Sequence, residues 1–574
     1  MKMKITLLIS LSFLCLATKA QTYQWAKKIA GSDIDQINTM TTDKQGNVYV
    51  AGSFRGSMDA DPGPGITILT SSGNQNSDIF FAKYDSAGNY LWAKSLSGDT
   101  SIYTNEEATS IDVDAKGYVY ISGTFTSFVD FNPGAGTATL TQAYQPSSQN
   151  LFVAKYDASG NYIWAKNFGQ KSYLGDKVLM KIDDTSSYIY LSGYFAGTAD
   201  FDPNAGVANL TAKGYEDIYI AKYDNSGNYI WAKNIGGATS RAKTFAITKN
   251  SQGNIIIAGY FDNFVDFDPS VANAVLNGGS GNSFFAEYDP SGNYVSAKSF
   301  EGSYNKIFDI AVGPSNTIYV AGTLRGTADF DPSIASAELS STNMLSDNFF
   351  AKYDAAGNYL FAKLLPGSAN NSDVIPSIGI DNFSNIYVSG NFNGSGDFDP
   401  GVGISILGTV NSNYGTFYAK YDSLGNYLWA NKIVSVGGVT ATTSKINSLN
   451  ELYIAGTYGG TCDFDPGVPV SNLLNSGSTD GFLAKYTSGS PLGINDFTLF
   501  PKDISIFPNP SHDSVSIQSK EKLKSIKCTN YLGQNMDLNL ENNALNISSL
   551  SAGVYFLNIL SEDGKTTLKK FVKE

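Results

Sequence analysis

Six short segments place two carboxylates one residue apart: Asp59 and Asp61, Asp200 and Asp202, Asp266 and Asp268, Asp329 and Asp331, Asp397 and Asp399, Asp463 and Asp465. A seventh copy holds Asp130 beside Asn132. Alternate side chains of an extended segment share a face, so both carboxylates of Asp-x-Asp can meet one ion. Oxygen ligands at this spacing suit Ca²⁺, which takes about six to eight of them. The segment is too short to supply that number and lacks the Asp-x-Asp-x-Asp-Gly run of a self-sufficient calcium loop. Each pair precedes Pro, and an aspartate there also accepts a bond from the backbone two residues on. Turn formation is the weightier reading, calcium the second and acid–base catalysis the third. A catalytic pair needs one acid and one base, whereas seven similar copies are what a repeat imposes. No cofactor is required, and calcium is the one ion the pattern admits.

Other chemistries are narrowed by composition. His512 is the only histidine, and it lies near the C-terminus, so Ser-His-Asp, Cys-His and histidine-ligated metal sites are excluded from everything before it. No Gly-rich phosphate loop occurs; the scattered Gly-x-Gly belongs to turns. Net charge is −13 and the arginines are Arg55, Arg241 and Arg325, so no basic face offers itself to nucleic acid. Trp25, Trp92, Trp164, Trp231 and Trp429 are candidates to stack on sugars, although their fixed place in the repeat favours packing between sheets. Departures from the repeat that an enzyme would need are Asn105-Glu106-Glu107 and Asn370–Asp373, each read first as a solvated loop.

Three markers recur seven times and name the elements that must position these residues. The Asp-Phe-Asp-Pro segments begin at Asp59, Asp130, Asp200, Asp266, Asp329, Asp397 and Asp463, 63 to 71 residues apart. An aromatic-x-Ala-Lys-Tyr-Asp motif places Tyr84, Tyr156, Tyr223, Tyr288, Tyr353, Tyr421 and Tyr486. An apolar pair, one small residue and Gly end at Gly52, Gly123, Gly193, Gly259, Gly322, Gly390 and Gly456. Within the unit 107–168 the pattern predicts strands at Ala108–Val113, Tyr118–Phe125, Leu151–Tyr156 and Tyr162–Asn167. The Asp-x-x-Gly-Asn turns between them have a mechanism: Asp bonds the backbone, and Gly accepts the positive φ of a tight hairpin. Apolar residues on both strand faces indicate sheets sandwiched between sheets.

Four-stranded sheets repeated radially make a β-propeller. The seventh Tyr-bearing strand lacks a following partner, and Tyr23-Gln-Trp25-Ala-Lys27 supplies one. The fold expected is all-β: a seven-bladed propeller of four-stranded blades closed by the N-terminal strand, then a small β-sandwich. The long connections between second and third strands share a face with the blade-to-blade connections, and that face is expected to carry any ligand.

Residues 1–20 read as a secretory leader: Lys2 and Lys4, an apolar stretch from Ile5 to Ala17, then Thr18-Lys19-Ala20, with cleavage between Ala20 and Gln21. No later stretch is long and apolar enough to span a membrane. After cleavage Cys462 and Cys528 remain, in different domains, as small buried hydrophobes. Residues 21–486 form the propeller, 487–502 a linker and 503–574 a module of six or so short strands.

Two resemblances follow from these residues. Residues 23–486 resemble the seven-bladed propeller-repeat proteins with an Ala-Lys-Tyr-Asp…Gly-Asn hairpin, a likeness that speaks to fold and not to function. The last module resembles the type A C-terminal sorting domain of type IX secretion, carried by Phe507-Pro508-Asn509-Pro510, Tyr531-Leu-Gly533-Gln534, Leu550-Ser-Ala-Gly553-Val-Tyr555-Phe556 and Lys569-Lys570-Phe571. That resemblance implies passage across a Gram-negative outer membrane by the type IX machinery, then surface attachment or release. The expectation is an exported binding or scaffolding module for extracellular carbohydrate or protein. The alternatives are a polysaccharide hydrolase or lyase using Asp/Glu on the long-loop face, and structural display without a ligand.

Overall fold

The computed structural model describes residues 22–487 and 504–574, apart from 74–75, 101–104, 142–149, 169–172, 175–176, 184, 186, 303, 343–345, 369–375, 411–412, 468, 520–522, 531–534, 537, 539, 542–543 and 562–565. The leader with Ala20 and Gln21, the segment Asn370–Asp373, Gly533 and most of the linker lie outside the described residues. Contacts divide the chain into two units, 1–489 and 490–574.

The first repeat sets the pattern. Strand β1 (Thr22–Gly31) precedes it; β2 (Asp35–Thr42) and β3 (Val48–Phe54) form a hairpin; β4 (Ser57–Asp59) and β5 (Ile68–Thr70) form a short ribbon; β6 (Asp78–Tyr84) and β7 (Tyr90–Gly98) complete the repeat. The antiparallel order β2-β3-β6-β7 recurs in later repeats, whose first strands are Glu107–Val113, Leu179–Ile182, Ala242–Lys249, Asn305–Val312, Ser377–Ile380 and Val439–Ile446. In the sheet of Val439–Ile446 and Glu451–Tyr458 the outer strand is β1, paired with Asp480–Thr487 from Thr22↔Thr487 to Ile29↔Gly481. The first strands are neighbours in order, and Val439–Ile446 also lies beside β2. Thr442 Oγ1 donates to the Ile37 carbonyl there at 2.6 Å.

Every residue of β3 is buried, as is every residue of Val119–Phe125, Ile318–Leu324 and Ile386–Phe392, which agrees with apolar residues on both strand faces. Core clusters therefore lie between sheets: Tyr49, Phe81 and Leu96 of the first repeat pack with Ile111, Val119 and Phe152 of the second. Another cluster joins Tyr453, Ala455 and Leu483 to Ile37, Val48 and Phe80. The first strand is bulged, between Ile37 and Thr39 in β2, and a Cβ on Gly52 would sit 1.8 Å from the Gln36 carbonyl oxygen. The marker glycine admits that close approach.

The predicted strands of the unit 107–168 are observed within a residue or two, at Glu107–Val113, Val119–Phe125, Asn150–Tyr156 and Tyr162–Phe168. The described part of the long connection, residues 126–141, forms the ribbon, and it reaches the neighbouring sheet. Asp130 pairs with Ser97 and Val129 with Gly98, so the second repeat's ribbon extends the outer edge of the first repeat's sheet. Ala30↔Asp59 and Val434↔Asp463 are the same contact elsewhere. An exposed edge strand is thereby covered by its neighbour.

Residues 504–574 form two four-stranded sheets. One contains Ile504–Phe507, Ser514–Ser519, Ala544–Asn546 and Leu540–Glu541; the other Asn535–Met536, Leu523–Asn530, Gly553–Ser561 and Thr566–Lys573. Val515, Ile517 and Leu545 from the first meet Cys528, Leu557, Ile559 and Phe571 from the second in one apolar core. Leu540–Glu541 pairs with Ala544–Asn546.

Candidate functional site

The carboxylates singled out by their spacing are bound into their own ribbons. Asp59 Oδ1 accepts from the backbone N–H of Asp61 at 3.1 Å and of Thr67 at 2.9 Å, spanning the ribbon turn. Asp61 Oδ1 accepts from Gly63 N–H at 2.8 Å. The spanning bond recurs from Asp130 to Ala138, Asp200 to Ala208, Asp266 to Ala274, Asp329 to Ala337, Asp397 to Ser405 and Asp463 to Ser471, at 2.7 to 2.9 Å. The second member caps the residue two on at Asp202, Asp268, Asp331, Asp399 and Asp465, as does Asn132. Asn can replace Asp because only an acceptor oxygen is needed. Each pair sits on a separate ribbon, and no group of three or more His, Cys, Asp or Glu side chains poised to hold an ion occurs among the described residues.

The second marker belongs to the same device. Tyr84 OH donates to the Ala60 carbonyl, between the two aspartates, at 2.9 Å. Tyr156, Tyr223, Tyr288, Tyr353, Tyr421 and Tyr486 donate to the carbonyls of Phe131, Phe201, Phe267, Phe330, Phe398 and Phe464 at 2.9 to 3.0 Å. The preceding lysine crosses to the next repeat: Lys155 Nζ donates to the Asn225 carbonyl at 3.1 Å and Lys485 Nζ to the Ser86 carbonyl at 3.0 Å. Three of the five tryptophans reach turn carbonyls of the next repeat in the same way, and Trp231 packs on Tyr190. Trp25, Trp92 and Trp164 donate Nε1–H to Ser86, Ala158 and Asn225 at 3.3, 3.0 and 3.2 Å, while Trp429 packs on Tyr387 and Tyr418. These rings are consumed in packing between repeats.

The paired acids Glu106 and Glu107 diverge. Glu106 is buried and its Oε1 accepts from Thr126, whereas Glu107 Oε2 accepts from Asn38 of the first repeat at 3.5 Å. On the tight-turn side a cavity of about 340 Å³ lies between Thr41–Gln45, Asp112–Gly117 and Lys181–Asp183. Asp112 is paired there with Lys181 at 2.8 Å, and Asp43 and Asp114 accept from the N–H groups of their own turns.

One cluster, absent from the sequence expectations, gathers on the ribbon side of the third to fifth repeats. Tyr194 lies near the end of the second strand of the third repeat (Tyr188–Ala196), and Tyr260 follows the marker glycine likewise in the fourth (Ile255–Phe261). The Lys243 ammonium lies 4.2 Å from the Tyr194 ring centroid and 3.0 Å from Glu216. The Arg241 guanidinium lies 5.2 Å from the Tyr215 ring and pairs with Asp262 at 3.6 Å. Tyr215 and Tyr304 are 63% and 56% exposed, and Arg241 lies over one face of the Tyr215 ring. Burial, Asp262 and Tyr304 push the Tyr260 phenol up, against the opposing charge of Arg241. The signal was legible in the third marker: the residue after its glycine is Ser53, Thr124, Thr323, Asn391 or Thr457 elsewhere, but Tyr194 and Tyr260 here.

In the C-terminal unit, the Pro508-Asn509-Pro510 segment is fastened to the last strand. Asn509 Oδ1 accepts from Val572 N–H at 2.9 Å, Ser511 N–H donates to the Val572 carbonyl at 2.9 Å, and His512 pairs with Glu574 at 3.2 Å. Gly553 and Tyr555 open the strand Gly553–Ser561; Tyr555 stacks on Phe571 at 5.5 Å, and Lys569 and Lys570 lie in the last strand.

Residues 24–53 match the family model of the beta-propeller repeat, and residues 505–574 that of the secretion system C-terminal sorting domain. Among curated proteins the chain is similar to an uncharacterised WD repeat-containing protein of Acanthamoeba polyphaga mimivirus, 26% identical over 564 residues, covering 84% of this chain and 40% of that protein. The chain thus spans less than half the length of that relative. Solved structures with likeness include the quinohemoprotein alcohol dehydrogenase ADHIIG of Pseudomonas putida HK5, at a TM-score of 0.36 and 11% identity over 86% of this chain and 80% of that one. The intramolecular trans-sialidase of Ruminococcus gnavus has a TM-score of 0.32 and 10% identity over 80% and 94% of the two chains. An ulvan lyase of polysaccharide lyase family 25 has 0.32 and 10% over 80% and 97%. No property of these proteins transfers at such scores. The protein is all-β, carries β-propeller repeats and ends in a type IX sorting domain, by which it is exported to the cell surface or released.

Proposed function

We propose that the protein is a seven-bladed β-propeller closed by β1, which works after export as a binding module for extracellular carbohydrate or protein. In this reading the leader 1–20 is removed between Ala20 and Gln21, residues 21–486 are the propeller, 487–502 a linker and 503–574 the sorting domain. Ring closure is supported by the pairing of β1 with Asp480–Thr487 and by Trp25 and Lys485, which tie the last sheet to Ser86 as Trp92 and Lys155 tie earlier ones. The observation that carries the binding role is a division of labour among side chains. The repeated aspartates, tyrosines and lysines are spent on ribbons and ties, whereas Tyr194, Tyr215, Tyr260 and Tyr304 break the repeat on the long-connection face. Sites on rigid scaffolds sit in such places.

The test is a glycan array probed with the full exported chain, with Ca²⁺ and with EDTA, beside cross-linking on intact cells. A defined glycan signal or one recurrent cross-linked protein is expected. EDTA is expected to leave either unchanged, because one oxygen of each Asp-x-Asp carboxylate already holds backbone N–H groups. Absence of both would overturn the binding role; loss of signal in EDTA would return those aspartates to calcium.

A further inference from the structure

We infer that the cluster on the third to fifth repeats is a subsite for a neutral pyranose sugar of an extracellular glycan, an inference that rests on the binding-module reading. Three observations carry it. The first is that the second strand of the repeat forms without the rings of Tyr194 and Tyr260. Ser, Thr or Asn follows the marker glycine in five repeats, and the same second strand forms in all of them. The fourth repeat has moreover made room: a Cβ on Gly281 would lie 2.6 Å from the Tyr260 ring, at a φ of +143° that suits glycine.

The second observation is exposure. Tyr215 and Tyr304 lie open on the surface while Tyr194 is 6% exposed and anchors Lys243. A tyrosine face is rigid, apolar and wet at one end, and the C–H face of a pyranose is its complement.

The third observation selects the ligand's charge. Arg241 and Lys243 each face a carboxylate, Asp262 and Glu216, so the patch offers fixed donors and acceptors with its cations already answered. A sugar hydroxyl is both donor and acceptor and can bridge such a pair, whereas an anionic group would face Asp262 and Glu216 in a chain of net charge −13. A protein partner would call for a broad apolar centre with a polar rim, and this patch interleaves rings with ion pairs.

The test is titration of the full exported chain with cellohexaose, mannohexaose and xylohexaose as neutral probes, and with oligoguluronate and oligogalacturonate as anionic ones, followed by saturation-transfer NMR. The variants Tyr215→Ala, Tyr304→Ala and Glu216→Gln are compared, with Leu424→Ala, on a distant exposed turn, as control. Expected is binding of at least one neutral probe, weakened about tenfold or more by either tyrosine variant and unaffected by the control. Neutral binding indifferent to all three variants overturns the site while the binding module stands. Preference for the anionic oligomers, lost in salt, overturns the ligand class alone. Absence of binding to every glycan, with a recurrent cross-linked protein on cells, overturns the sugar subsite and leaves a protein-binding module.

Discussion

At the residue scale, the recurring tyrosine hydroxyl is the most local test of the ribbon device. Tyr156 is fully buried and donates to the Phe131 carbonyl at 3.0 Å, so Tyr156→Phe leaves that carbonyl unanswered in the core. A loss of about 1–2 kcal/mol in denaturant unfolding is expected; an unchanged midpoint would mean that the carbonyl finds another donor. Asp35 is the second test. Burial raises its pKa to about 7, the Gly31 N–H opposes this, and Asp480 and Asp33 add to it. A carboxyl whose pKa is higher folded than unfolded contributes most below about pH 4, and that contribution is lost as pH rises toward 7. Asp85 runs the other way: slight burial raises it, but bonds from Asn89 and Ala87 and the charge of Lys27 outweigh that and hold it low. Its contribution disappears as pH falls below about 4. Thermal stability is therefore expected to be higher at pH 5 than at pH 8. Asp35→Asn should narrow that difference; a variant with the wild-type pH profile would remove Asp35 as its source.

At the element scale, β1 is the strand on which the proposed closure rests. It supplies the outer partner of Asp480–Thr487 from Thr22 to Ile29, and Ile29 is fully buried in the cluster with Leu483 and Val48. Deleting residues 21–30 removes that ladder, the Trp25 tie and the edge on which β4 pairs. The melting temperature is expected to fall by roughly 10 °C or more, from loss of several core side chains at about 1–3 kcal/mol each. An unchanged melt would refute closure by this strand. The Lys485 ammonium, bound to Ser86 and to Glu451 at 2.8 Å, joins the same seam. Lys485→Met should cost about 1–2 kcal/mol, because Glu451 loses its cation while Asn447 and Tyr453 still donate to its carboxylate.

At the scale of the whole molecule, the two units carry separate tasks. The repeats hold the candidate site, and the C-terminal seventy residues hold the address. Removal of residues 505–574 is expected to retain the chain inside the outer membrane, read by cell fractionation, while the repeat unit keeps its strand content by circular dichroism. Surface display by the truncated chain would overturn the role of the sorting domain. The acidic balance adds a constraint on partners, since a chain of net charge −13 repels polyanions over about 8–10 Å at physiological salt.

The repeat count of each motif, the strand and turn positions within a unit and the sorting domain are all legible in the order of residues. Those features rest on short-range chemistry. The Asp85 turn is written in five consecutive residues, because its bonds run from Asp85 to Ala87 and Asn89. Both faces of a strand such as Val48–Phe54 are apolar because both are buried, and that too is visible in order. Contacts at long range were legible only once the sheets were packed. Tyr156 and Phe131 are 25 residues apart, Lys155 and Asn225 are 70, and no spacing rule joins two motifs whose bond depends on how sheets stack. The ribbons show the same limit: Asp130 meets Ser97 only because adjacent sheets bring an outer edge within reach of the next connection. The tyrosine cluster falls between these cases. Tyr194 and Tyr260 stand out on comparing seven equivalent positions, but their company with Tyr215, Arg241 and Tyr304 exists because loop ends from three repeats converge on one face.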